Sequence, residues 1–193
     1  GQKLRVAIEE PGYPDLRCTL NLAVADVFPI TLDEHGLDPE ALPQDLDLVC
    51  VSPSHQAPTG VTMPAARRRA LLRRASEEDF LILEDDYDFE MSFLKPPSPA
   101  IKSYDDDGRV IYAGSFTKPL FPGLRLGYMV APEPFISEAR GLRALVMRHP
   151  PGATQRITAH FLALGHYNAH IARLRRVFKE RRSVMAEALT EHG

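Results

Sequence analysis

The chain has 193 residues, enough for one ordinary domain or one domain plus part of a second. Lysine and arginine total 23 against 26 aspartates and glutamates, and the formal net charge of −3 argues against a dedicated nucleic-acid-binding domain. A hydrophobic fraction of 44% can fill a core, and a charged fraction of 25% can keep the folded product in solution. Cys18 and Cys50 are the two cysteines, with no CxxC spacing, so a disulfide framework and a zinc ribbon are both unsupported. A reducing cytoplasm is the expected compartment. No apolar run reaches the ~20 residues of a membrane helix, and residues 1–4 lack the apolar stretch of a signal peptide. The chain begins directly in strand-like residues, which predicts a piece of something longer.

Short apolar runs at residues 5–8, 46–51, 80–83, 110–113 and 126–130 predict strands buried on both faces, hence an α/β fold. Residues 64–76 predict a helix, with Thr62 as cap and Pro64 in its first turn. Ala65, Ala66, Leu71, Leu72 and Ala75 would face the sheet, and Arg67, Arg68, Arg69, Arg73 and Arg74 the solvent. Three prolines in residues 94–100 exclude regular structure there. Asp105, Asp106, Asp107 and Gly108 read as an acidic turn before the next strand, because the spaced ligands of a calcium loop do not follow. No metal site is expected. After Pro134 the pattern turns helical, interrupted at Pro150-Pro151-Gly152 and again near Gly165. Ile171, Leu174, Phe178, Met185 and Leu189 form an apolar stripe on the last helix. Six basic residues beside that stripe, Arg173 to Arg182, read as an exposed or interface face rather than a DNA grip.

Three clusters follow strands, where α/β folds place their chemistry. They are Ser52-Pro53-Ser54-His55-Gln56-Ala57-Pro58-Thr59-Gly60, then Glu84-Asp85-Asp86-Tyr87-Asp88, then Gly114-Ser115-Phe116-Thr117-Lys118 with Arg125 beyond. A desolvated lysine after a strand can form a Schiff base. Ser115 and Arg125 suit a phosphate, for which arginine offers a fixed fork of donors. A strand-end carboxylate can hold a protonated pyridine nitrogen, and a nearby tyrosine can hydrogen-bond a phenolic oxygen. Together these describe a pyridoxal phosphate site. Ser115-x-x-Lys118 also matches the nucleophile motif of penicillin-binding enzymes, but that motif's companion elements are missing.

With those strings, residues 6–189 resemble fold-type I, class I aminotransferases, and most closely the aminotransferase-like domain of MocR-type regulators of the GntR family. The resemblance implies a three-layer α/β large domain with a mostly parallel sheet, truncated here. Residues 1–150 would be its central part, and 151–193 helices leading into a small C-terminal domain. It implies Lys118 as the Schiff-base lysine, Asp85 as the pyridinium partner and Tyr87 as donor to the ring oxygen. Ser115 and Arg125 would hold the phosphate, His55 would lie near the cofactor, and Asp86 and Asp88 would be structural. Glu10-Pro11-Gly12-Tyr13-Pro14 is similar to a loop that shapes the family's site, while the ring-stacking residue is expected upstream of this chain. Ala57 stands where catalytic aminotransferases carry an asparagine, which favours a sensor of an amino acid or amine effector over a fast enzyme. The alternative is a genuine aminotransferase acting on an amino acid. The resemblance further implies a homodimer, no membrane, and DNA contact only through a winged-helix domain absent from this chain.

Overall fold

The computed structural model describes residues 3–23, 25–94, 96–149 and 151–192; Pro150, part of the expected helix break, lies outside them. The chain divides into two compact units. The first holds residues 1–87, 98–114 and 128–138, and the second residues 88–97, 115–127 and 139–193.

The first unit is an α/β layer structure on a six-stranded sheet. Its elements are β1 (Leu4–Glu10), α1 (Pro14–Leu22), β2 (Ala25–Thr31), β3 (Leu48–Val51), α2 (Ala65–Glu78), β4 (Leu81–Asp86), β5 (Val110–Ser115) and β6 (Gly127–Val130). The strand order is β2-β1-β3-β4-β5-β6. Parallel register joins β1 to β2 and β3, β3 to β4, and β4 to β5. The α/β architecture with a mostly parallel sheet is thus borne out. Both faces are covered: Ala7, Val49, Val51, Ile82 and Val110 pack with Leu71 and Ala75 of α2. Val6, Ile8 and Cys50 pack on the other face with Leu16 and Leu20 of α1. Parallel strands buried on both sides read as near-continuous apolar runs, which is why β1, β3, β4 and β5 were legible; β6, legible from its apolar run, is exposed along its length.

Three details of α2 depart from expectation, the first being that Ala66 is exposed and does not face the sheet. Pro64 occupies the N-cap position itself and no side chain caps the helix. Thr62 instead donates its hydroxyl to the Ser54 carbonyl at 3.0 Å. Arg68 does not face solvent but is wholly buried. Its Nε, Nη1 and Nη2 donate to the carbonyls of Met63, Pro99 and Pro53 at 2.9, 2.9 and 2.6 Å. Arg67 pairs bidentately with Asp33, and Arg74 reaches the carbonyls of Pro39 and Leu42. The arginine run is therefore largely a clamp on loops. The acidic turn is also structural: Asp105 accepts from the N–H groups of Arg109 and Val110 at 2.7 and 3.0 Å and pairs with Lys102.

Helix α3 (Glu133–Met147) begins in the first unit and ends in the second. The second unit contains α4 (Gly152–Ala163) and α5 (His166–His192), separated by Gly165 at φ +75°. Ile171 is buried, the Phe93 and Phe178 rings stack with centroids 6.3 Å apart, and Tyr167 donates to Glu90 at 2.6 Å. Beyond Phe178 the expected stripe continues as Met185 and Leu189, both exposed.

Candidate functional site

In the first unit, β1, β3 and β4 end on a cavity of about 500 Å³, within the usual range for small-molecule sites. Ile8, Leu16, Leu83 and Ala113 give it apolar walls, while Glu9, Tyr13, Cys50 and Asp85 bring polar groups to it. Strand alternation decides which carboxylates arrive there. In β4, Ile82, Glu84 and Asp86 are buried, whereas Leu83 packs against the α1-side cluster and Asp85 lines the cavity. Glu84 accepts the N–H groups of Ile101 and Lys102 at 2.8 and 2.9 Å, and burial raises its carboxyl above the ordinary range. Asp86 accepts the Tyr112 hydroxyl at 3.1 Å.

Two further cavity groups are perturbed. Burial pushes Glu9 up to about 7, against hydrogen bonds that lower it, and the neighbouring Asp85 charge adds to the rise. Burial, with Asp85 and Glu9 behind it, pushes the Cys50 thiol up to about 12, so it is a neutral wall group rather than a nucleophile. Gly12 is required here because a Cβ would fall 2.3 Å from the Glu9 carbonyl oxygen.

His55 and Tyr87 meet each other: the Tyr87 hydroxyl donates to the His55 carbonyl at 2.9 Å. A hydroxyl has one proton, so Tyr87 must turn from that carbonyl before it can donate to a ring oxygen. Neither residue lines the cavity that Asp85 lines.

In the second unit, Ser115 leaves β5 and its Oγ accepts the Thr117 N–H at 3.1 Å. The Phe116 N–H donates to the Leu126 carbonyl at 2.9 Å, and the Leu120 N–H to the Phe116 carbonyl at 3.1 Å. The first bond links the residues that follow Ser115 and Arg125, so the backbone at both phosphate candidates is brought together. Lys118 is exposed at the apex of the turn, Pro119 behind it is buried, and His170 Nε2 lies 3.0 Å from the Pro119 carbonyl. A carbonyl only accepts, so Nε2 carries the proton. Arg125 holds φ +47°, a left-handed conformation uncommon for a side chain of that size.

Sequence reasoning overlooked Glu9 and the ring of Tyr13. The resemblance put the stacking ring outside this chain, yet Tyr13 sets an aromatic ring, 55% exposed, in the wall of the cavity. Its signal was the Glu10-to-Pro14 string, noted only as a loop. Glu9 carried no signal, because paired glutamates at a strand end read as solvated. Among the described residues, no group of three or more His, Cys, Asp or Glu side chains is placed to hold a metal.

The α/β layers on a mostly parallel six-stranded sheet are those of a fold-type I aminotransferase. The chain belongs to the family described as aminotransferase class I and II, whose model matches residues 2–193. Among curated proteins it is 53% identical over 189 residues to the HTH-type transcriptional regulator TauR of Rhodobacter capsulatus, covering 98% of this chain and 39% of that protein. It is 39% identical to the HTH-type pyridoxine biosynthesis transcriptional regulator PdxR of Corynebacterium glutamicum, covering 96% of this chain and 41% of the regulator. Among solved structures, the kynurenine aminotransferase of Pyrococcus horikoshii superposes with a TM-score of 0.93 at 32% identity, over 99% of this chain and 50% of that one. The chain thus spans about 40% of the length of these regulators, and its resemblance to MocR-type regulators is borne out.

Proposed function

We propose that this chain is the central part of a pyridoxal phosphate-binding, effector-sensing domain of a MocR/GntR-type transcriptional regulator. The observation that carries the reading is Asp85 at the end of a central strand, lining an apolar cavity beside an aromatic ring. That donor set fits a protonated pyridine: a carboxylate for the ring nitrogen, and apolar and aromatic walls for the ring. When bound, the cofactor would supply an aldehyde for amine capture and a ring that withdraws electrons. Lys118 would hold the aldehyde end, and the Pro119–His170 contact fixes the turn that carries it. Asp85 would keep the ring nitrogen protonated, Tyr87 would turn its hydroxyl to the ring oxygen, and Ser115 and Arg125 would bind the phosphate. His55 would act through its carbonyl, by orienting Tyr87.

The regulator reading rests on the 53% identity to TauR and on Ala57, whose methyl cannot hydrogen-bond a ring oxygen. DNA contact would belong to a domain outside these residues, and the effector would be an amino acid or amine. The protein would work in the cytoplasm. The likeness to a kynurenine aminotransferase favours a second reading, catalysis of amino-group transfer. Borohydride reduction after adding pyridoxal phosphate, followed by peptide mass spectrometry, tests the site: the adduct is expected on Lys118 and absent from Lys118→Ala. An adduct spread over surface lysines, unchanged in the variant, overturns the assignment. Steady amino-group transfer from amino acids to keto acids would decide for the enzyme.

A further inference from the structure

The turn that carries Lys118 is held by α5 at two points, and these straddle the lysine. The Leu120 N–H closes one helical turn onto the Phe116 carbonyl at 3.1 Å, so Phe116 and Pro119, three apart, share one face of it. On α5, Tyr167 and His170 are also three apart. The Tyr167 ring meets the Phe116 ring edge-on, with centroids 6.0 Å apart and an interplanar angle of 84°. Three residues further along α5, His170 Nε2 donates to the Pro119 carbonyl at 3.0 Å. Lys118 lies between the two gripped residues and is exposed, whereas Pro119 is buried.

Both gripping side chains are themselves held. The Tyr167 hydroxyl donates to Glu90 at 2.6 Å, and Arg175 Nε, further along α5, donates to the Glu90 carbonyl at 2.6 Å. Phe161 of α4 sets its ring across that of His170, with centroids 6.4 Å apart at 72°. The imidazole is therefore oriented by its own packing, as a side chain that fixes a functional group must be. The acceptor matters as much as the donor. The pyrrolidine ring of Pro119 fixes φ, and a hydrogen bond that sets the direction of its carbonyl fixes ψ. The backbone leaving Lys118 keeps little freedom.

We propose that His170 is a positioning residue for Lys118: through the Pro119 carbonyl, and with Tyr167 on the other side of the lysine, it holds the backbone from which the amine is presented to a ligand. It acts through the chain and not on the reacting atoms. The anchoring stands on the contacts themselves; its effect on a ligand rests on the pyridoxal phosphate reading. A reacting group held in one geometry is captured faster than one that must first find it. Glutamine at position 170 can offer an amide N–H in place of Nε2–H, whereas leucine keeps bulk and loses the donor.

The first test is hydrogen exchange of the Leu120 amide in the full chain without cofactor. Loss of one neutral hydrogen bond should open the turn about three- to tenfold more often. Exchange at Leu120 is expected to quicken by that factor in His170→Leu and to return toward wild type in His170→Gln. The Ile82 amide of β4 should not move. Exchange unchanged at Leu120, quickened equally at Ile82, or as fast in His170→Gln as in His170→Leu overturns the anchoring. The second test times capture of pyridoxal phosphate by Lys118, trapped with borohydride and located by peptide mass spectrometry. Capture should slow by the same factor in His170→Leu and recover in His170→Gln; equal rates in all three overturn the effect on the ligand. No adduct on Lys118 in wild type would overturn the pyridoxal phosphate reading and that effect together, while exchange still decides the anchoring. Should His170→Leu not fold, the imidazole nitrogen NMR spectrum of wild type replaces it. The neutral ring is expected to carry its proton on Nε2, and a proton on Nδ1 instead overturns the bond to Pro119.

Discussion

Asp85 and Asp86 are neighbours of identical chemistry, yet the pleat of β4 sends them to different surroundings. Asp85 lines the cavity and Asp86 is buried against Tyr112. Their amide variants should therefore fail differently. On the proposed reading, Asp85→Asn would remove the charged partner of a ring nitrogen, and a charge-assisted hydrogen bond contributes roughly 1.5–3 kcal/mol. Affinity for pyridoxal phosphate should fall about ten- to hundredfold, with little change in melting temperature. Asp86→Asn should lower the melting temperature and leave affinity nearly intact; equal losses of affinity in an absorbance titration would mean the wrong aspartate was chosen. Glu9 gives a pH signature as well. Its folded carboxyl sits near 7 against an ordinary 4.5, so between those values the folded state holds a proton that the unfolded chain has lost. Its contribution is full below about 4.5 and disappears as pH rises through 7. At about 1.4 kcal/mol per pKa unit it is on the order of 3 kcal/mol. Denaturant melts across pH 4.5–7 should show stability falling more steeply in wild type than in Glu9→Gln; parallel slopes would refute it.

At the scale of elements, α2 shows why a buried arginine need not be a defect. Arg68 gives its three nitrogens to the backbone carbonyls of Met63, Pro99 and Pro53, and Glu84 nearby offsets part of its charge. It thereby anchors the stretch from Pro53 to Met63 that carries His55 and Gln56. Removing one side of such an arrangement typically costs about 3–5 kcal/mol, so Arg68→Met should lower Tm by roughly 10 °C. Arg68→Lys should recover only part, since one ammonium cannot span the fork, and a melting curve unchanged in Arg68→Met would contradict the clamp. This residue also marks the limit of legibility. Five arginines within eight positions look alike in sequence, and only the tertiary path of residues 53–63 and 99 selects the one that is buried. β2 was missed because Asp26 and Pro29 break its apolar run; as an edge strand it tolerates a proline that a central strand would not. α1 was missed because it spans only nine residues and buries none of them fully. The strands and turns bearing Asp85, Tyr87, Ser115 and Lys118 were legible, because a parallel strand ends abruptly in polar residues and the sheet aligns those ends.

At the scale of the whole molecule, the unsatisfied feature is apolar surface. On α3, Leu142, Leu145 and Val146 are 65%, 85% and 74% exposed at positions three and four apart, hence on one face. On α5, Met185 and Leu189 repeat the pattern four apart. Contiguous exposed apolar residues at helical spacing mark an interaction face more often than scattered single ones do. The homodimer implied by the resemblance to MocR-type regulators gives such a face a partner of the right symmetry, and two-fold pairs are the commonest closed assembly. We therefore expect this chain to sediment above its 21.5 kDa monomer mass at micromolar concentration. Leu145→Glu combined with Val146→Glu should return it to monomer. Because both side chains are exposed before the change, each substitution should move stability by no more than about 0.5 kcal/mol. Loss of association then reads out the interface and not the fold. A wild-type chain that already sediments as a monomer, or a double variant that remains associated, would show that α3 is not the face on which copies meet.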